Sequence, residues 1–121
     1  TDLALLSLIY PYNMATPEQR DTILRNIEDK LVREKGIIRY AGDCYYNEKG
    51  KEGSWTMGFP WLAKIYKDLG DKKKYKHYLK KTHDVMLPSG ELPELYFADG
   101  AQPNENTPLG WAQAMYLVAV S

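Results

Sequence analysis

The chain has 121 residues, enough for one domain built around one core. At 44% hydrophobic and 26% charged it has the composition of a soluble globular chain, and sixteen basic residues balance sixteen acidic ones. A net charge of zero gives no electrostatic case for nucleic acid, and no run of about 18 apolar residues argues for a membrane span.

Residues 2–10 read as a short apolar helix with Leu3, Leu6 and Tyr10 on one side, stopped by Pro11. In "TPEQ", Thr16 is placed as an N-cap, Pro17 at the first helical position, and Gln19 where it closes a capping box. Ile23, Ile27 and Leu31 follow at helical spacing, and Gly36 reads as the stop of this helix. The stretch "GIIRYAGDCYYNEKGKEGSW" is then a long loop, β-prone at residues 37–40 and broken by Gly42, Asn47, Gly50 and Gly53. A third helix is expected over 55–69, ended by Gly70. A fourth, capped by Asp71, is expected over 72–86 with Tyr75, Tyr78, Leu79 and Thr82 as its apolar stripe. Its lysines (Lys72, Lys73, Lys74, Lys76, Lys80, Lys81) read as a solvated face. After the turn at residues 88–90 comes "GELPELYFADGAQPNEN", again loop chemistry. Thr107-Pro108 repeats the N-cap signal, and a fifth helix runs through Leu109, Ala112, Met115, Tyr116 and Ala119.

Helix pairs are therefore joined alternately by short and long loops. The long ones, 36–54 and 89–106, each follow an even-numbered helix, so in a layered helical array they emerge at the same end and face each other. Loops longer than about 12 residues inside a compact domain are usually functional. The first carries Arg39, Tyr40, Asp43, Tyr45, Tyr46 and Glu48. The second carries Glu91, Glu94, Tyr96, Asp99 and Glu105. Carboxylates, an arginine and aromatic rings are what sugar hydrolysis needs: two carboxylates flanking a glycosidic bond, with polar groups and ring platforms to hold the sugar. Ten Tyr and three Trp against two Phe suit a wet, ring-binding cleft, and equally suit half-buried helix packing. A loop acid such as Glu94 is ordinarily just solvated, and Arg39 is ordinarily the ion-pair partner of a nearby acid such as Asp43.

Other chemistries have less support. His77 and His83 are not four apart and lie away from the acids, so no metal is expected. Cys44, the only cysteine, excludes an internal disulfide, agrees with a reducing compartment without requiring one, and has no histidine near it in sequence to activate it. No phosphate- or dinucleotide-binding glycine motif is present, so no cofactor is expected. The start, "TDLALLSLIYP", lacks a basic n-region and an initiator Met, and reads as the middle of a longer protein rather than a signal peptide.

Taken in order, "DLALLSLIYP" before "ATPEQRDTILRNIEDKL", then "IIRYAGDCYYN", "SW", "GELPELY" and "TPLGWAQAMYLVAV" resemble the C-terminal part of family 15 glycoside hydrolases, the glucoamylases and related glucodextranases and trehalases. The resemblance implies an all-α fold, helical hairpins forming part of an (α/α)6 barrel that is incomplete in this chain, with residues 1–121 as its C-terminal segment. It implies inverting, exo-acting hydrolysis of an α-linked glucose oligosaccharide or polysaccharide, in which an acid protonates the leaving oxygen and a base activates water on the opposite face. By position in the motifs, Glu94 in "LPELY" falls on the general base, although Leu95 stands where the family usually has Gln. Arg39 falls on the arginine that binds sugar hydroxyls, Tyr40 on its neighbour, and Asp43 on the acid that orients the arginine. Trp55 falls on a substrate-contacting tryptophan once "EKGKEG" is taken as an insertion, and Trp111 on a wall of the cleft, with core packing as its alternative. The family's general acid lies on an upstream loop with no counterpart here, and Glu91, only three residues from Glu94, is a poor substitute. The implied partners are the sugar and the upstream remainder of the catalytic domain, with self-association of the fragment as a way to cover exposed apolar helix faces. A non-catalytic carbohydrate-binding or regulatory domain of the same fold, as in phosphorylase kinase regulatory subunits, is the second reading. A free-standing helical-hairpin interaction domain is the third, disfavoured by the irregular acid- and aromatic-rich loops.

Overall fold

A computed structural model describes residues 1–121. The chain opens in a short 3₁₀ helix, Leu3–Leu8, rather than the α-helix its apolar run suggests. The tighter helix places side chains three apart on one side, and Leu3 and Leu6 are both buried. Its N-terminal end is pinned at a distance: Leu3 N–H donates to Arg39 O at 2.7 Å, and Asp2 bridges Tyr40. This contact already ties the first element to the first long loop.

Helix α1, Pro17–Lys30, begins as the sequence predicts. Gln19 N–H donates to Thr16 Oγ1 at 3.2 Å, and Thr16 N–H donates to Gln19 Oε1 at 2.9 Å, closing the capping box. It ends earlier than expected, with Leu31 as its C-cap. Gly36 is not the helix stop. The chain leaves the helix at Leu31 and doubles back through an isolated pairing of Val32 with Ile37, so Gly36 lies beside the next strand. A Cβ on Gly36 would sit 2.5 Å from Trp55 O, so backbone proximity is what calls for glycine there.

Two short strands follow from the two long loops. β1, Ser54–Trp55, and β2, Leu95–Tyr96, pair antiparallel with Ser54 opposite Tyr96 and Trp55 opposite Leu95. Ile37 adds a third segment through two bonds with Trp55, at 2.9 and 3.1 Å. Trp55 is thus a strand residue, and helix α2 starts three residues later than expected, spanning Gly58–Asp68. It is buried nearly all round and is the central helix. It packs against α3, Lys72–Val85, and against α4, Gly110–Val120.

Helix α3 is amphipathic. Asp71 Oδ1 accepts from Lys74 N–H at its start, Tyr78, Thr82 and Val85 face inward, and Lys72, Lys73, Lys76 and Lys80 are exposed. Leu79, assigned to the buried stripe by spacing, is only half-buried. Helix α4 starts at Gly110 with Leu109 as N-cap, so the Thr107-Pro108 cap expected from the sequence is not formed. Thr107 Oγ1 donates instead to Asn104 O at 3.1 Å, and Leu109 N–H to Leu92 O at 2.9 Å; tertiary bonds hold the segment that a local cap would have used. At the other end of α4, Lys67 and Tyr75 donate to the carbonyl of Ala119, and Lys67 also to Ser121.

One contiguous cluster of 23 buried residues draws on every helix and both long loops, so the chain has a single core. No helix is long and apolar enough to cross a membrane.

Candidate functional site

The two long loops face each other, and their contact begins in the backbone. Thr56 N–H donates to Glu94 O at 3.2 Å, continuing the β1–β2 pairing by one residue. On its other side the segment around Glu94 is held by a second ladder: Glu94 N–H to Asn106 O at 2.9 Å, Asn104 N–H to Leu95 O at 3.0 Å, and Leu109 N–H to Leu92 O. Glu94 therefore sits on a short extended segment hydrogen-bonded on both edges, between buried Leu92, Leu95 and Tyr96. A side chain on such a segment has little freedom to move.

The carboxyl of Glu94 is buried, with 8% of the residue exposed. Its Oε1 accepts three hydrogen bonds: from Tyr45 OH at 2.9 Å, Asn104 Nδ2 at 2.8 Å and Asn106 Nδ2 at 3.0 Å. Oε2 has no protein donor and is not sealed from solvent. Tyr45 crosses from the first loop to reach it. The neighbouring carboxylate makes loss of the phenol proton harder and pushes Tyr45 above the usual tyrosine range.

Arg39 and Asp43 form a two-pronged pair, Nε to Oδ2 at 2.6 Å and Nη2 to Oδ1 at 2.8 Å. Asp43 is almost fully buried and also accepts Tyr45 N–H at 3.1 Å. The Arg39 guanidinium holds its carboxyl below the usual carboxylate range, and the same bond raises Arg39. The guanidinium lies 4.7 Å from the Trp55 ring centre and 5.2 Å from that of Tyr45, whose rings are themselves 5.6 Å apart. Arg39, Asp43, Tyr45, Trp55 and Glu94 are thus one connected cluster. Nη1 of Arg39 has no protein acceptor.

Tyr40 and Trp111 lie on the other side of Arg39. With Arg39, Leu3, Met57 and Trp61 they line a cavity of about 280 Å³. Trp111 is half exposed and stands 5.4 Å from the Trp61 ring, so it is a cavity wall more than a core residue. The six residues singled out in the sequence are brought together in two groups that share Arg39. Tyr45, Asn104 and Asn106 were not singled out. The two asparagines carried no local signal: they stand in a stretch that reads as loop, and the chain bends at Glu105 between them.

The remaining loop acids do other work. Glu105 accepts from Tyr46 OH, whose ring contacts Phe97, and Glu91 is tied to Ser89 in the turn. Tyr96 is buried and donates to Val85 O at 2.8 Å, a supporting ring. No group of three His, Cys, Asp or Glu side chains is disposed to hold a metal ion.

No protein-family model matches the chain. Over 98% of its length it is 30% identical to an uncharacterized glycosyl hydrolase of Methanocaldococcus jannaschii, covering 21% of that protein. Among solved structures it matches a wild-type glycosidase with a TM-score of 0.79 and 22% identity, over 99% of this chain and 35% of that one. It matches a glutamate-to-alanine variant glycosidase in complex with glucose with a TM-score of 0.78 and 21% identity, over the same shares. The chain therefore spans about a fifth of the curated relative and about a third of the solved glycosidase chains. The structural likeness shows the fold: an all-α arrangement with one tiny strand pair, shared with part of a glycosidase.

Proposed function

We propose that the chain is the C-terminal segment of an inverting, exo-acting α-glucoside hydrolase of the glucoamylase type, an (α/α)6 toroid, in which Glu94 is the general base. The observation that carries this reading is the buried Glu94 carboxylate, anchored at one oxygen and free at the other, and joined through Tyr45 to a clamped arginine that lines an aromatic-walled cavity. Similarity to a glycosyl hydrolase over nearly the whole chain supports it. So does the glucose bound in one structurally similar glycosidase, a sugar of the class proposed here.

In this mechanism Glu94 takes a proton from water, which attacks the anomeric carbon from the face opposite the leaving oxygen. The general acid comes from the part of the enzyme upstream of these residues and stands about 6.5–9.5 Å away, leaving room for the water. Arg39, fixed by Asp43, offers Nη1 to sugar hydroxyls. Tyr40 and Trp111 supply rings against which a pyranose packs, whereas Trp55, expected from the sequence to touch substrate, is buried at 7% exposure and backs the Arg39 guanidinium.

The test is Glu94→Gln in the full-length protein acting on a maltooligosaccharide. Substrate binding is expected to persist while kcat falls about 10²–10⁴-fold. Retention of kcat would sink the base assignment, and a full-length protein that binds glucan without turnover would support a non-catalytic domain of the same fold. The 121 residues alone are expected to leave maltose and isomaltose intact.

A further inference from the structure

We propose that Tyr45, Asn104 and Asn106 are positioning residues that hold one oxygen of Glu94 out of the reaction, so that the other, Oε2, receives the proton of water. The proposal deepens the reading of Glu94 as general base and rests on it.

A carboxylate offers about four lone-pair sites over two equivalent oxygens. Nothing intrinsic to glutamate decides which oxygen meets the substrate side. Here the protein decides. Three donors converge on Oε1 at 2.8–3.0 Å, and none reaches Oε2. Turning the carboxyl by half a revolution only exchanges the two names; one oxygen is always in the cradle and one outside it. The donors are fixed by separate means. Asn104 N–H donates to Leu95 O and Glu94 N–H to Asn106 O, so the backbone of both asparagines is tied to the segment that carries the carboxylate. Tyr45 is placed by the tilted contact of its ring with that of Trp55 and by Asp43, which accepts its backbone N–H. Asn106 Nδ2 also approaches Tyr45 OH at 3.4 Å, joining the donors to one another.

Asn104 shows that this arrangement is more than packing. It is 4% exposed, and its Oδ1 is buried with no hydrogen-bond partner. An unsatisfied buried acceptor is destabilising, and an apolar side chain of similar size would avoid it. The amide has one favourable bond to set against that cost, Nδ2 on the Glu94 carboxylate. Tyr45 fits the same role: its raised proton affinity keeps it an O–H donor throughout the neutral range.

Each donor fixes the orientation of the carboxylate. Removing one lets the side chain swing away from the water, so kcat falls. Binding of sugar, which relies on Arg39 and the cavity walls, is left alone. In the full-length protein hydrolysing a maltooligosaccharide, Asn106→Ala and Asn104→Leu are each expected to lower kcat about tenfold and keep KM within about twofold. Loss of one hydrogen bond to a charged group corresponds to about a tenfold change in rate. Asn106 is exposed, so its variant reports even if Asn104→Leu does not fold. Unchanged kcat in the folded variants, or a loss that falls on KM instead of kcat, with Glu94→Gln inactive, overturns the positioning role alone. A Glu94→Gln protein that retains kcat overturns the base reading beneath it.

Discussion

Asp43 shows how a charged group becomes structural at a site read as functional. It is the most buried acid in the chain, and its carboxylate is held in the ionised form by Arg39 and by Tyr45 N–H. Because its native affinity for protons is below that of the unfolded chain, it stabilises the fold above the ordinary aspartate range, about pH 4, and less as pH falls through the depressed native value. Asp43→Asn is therefore expected to lower stability by about 2 kcal/mol near pH 7, read from urea unfolding. The deficit should shrink as pH falls below about 4, toward the depressed native value at which the wild-type carboxylate protonates too. A deficit constant over that range would mean that the ion pair is not the source. Arg39, Asp43 and Glu94 were singled out by the resemblance of their motifs to a known family; from the residues alone, only the ion pair of Arg39 with Asp43, four residues away, was foreseen, and it forms. Asn104 and Asn106 were not singled out, because their target, Glu94, lies across a ladder that no local pattern announces.

At the scale of elements, legibility followed the range of the forces. The caps at Thr16 and Asp71 are made within three residues and form as the sequence predicts. Thr107 carries the same signal, yet its hydroxyl and the neighbouring backbone are engaged by Asn104 and Leu92, and the helix starts later. Gly36 was misassigned for a similar reason. Glycine after a helical run usually marks a C-terminal stop, but here the closeness of Trp55 and Ser54 requires it. Gly36→Ala would place a methyl group 2.5 Å from Trp55 O and 2.7 Å from Ser54 C, atoms of backbone that cannot rotate away. Because β1 is paired with β2, the displacement passes to the segment bearing Glu94. A loss of about 2–3 kcal/mol in unfolding free energy is expected. Gly110→Ala, where no atom lies within 4 Å of the added group, should be neutral or slightly stabilising. Equal effects at the two positions would refute the steric account.

At the scale of the molecule, the all-α expectation and the meeting of the two loops both follow from helix lengths and loop positions, because helices of similar length return the chain to the same end. The depth of the contact was not legible. The loops are zipped by β1–β2 and by side chains separated by as many as 61 residues, Tyr45 and Asn106 among them. Helix α4 shows what this core leaves over. It is apolar apart from Gln113, but only Ala112, Met115 and Ala119 are buried. Leu117 and Val120 are exposed at 61% and 42%, and exposed Ala114 continues the same row. A contiguous apolar stripe on a helix is costly in water and favours association with whatever can cover it. In a longer protein, neighbouring helices would do so. In the 121-residue chain the available cover is a second copy, and self-association is expected in sedimentation at micromolar concentrations. Leu117→Lys sets a charge in the middle of the stripe without touching the buried side of α4. It should shift the chain toward monomer while leaving its helical content and melting profile intact. A wild-type chain that sediments as a clean monomer across that range would show that the stripe is tolerated by solvent and does not drive assembly.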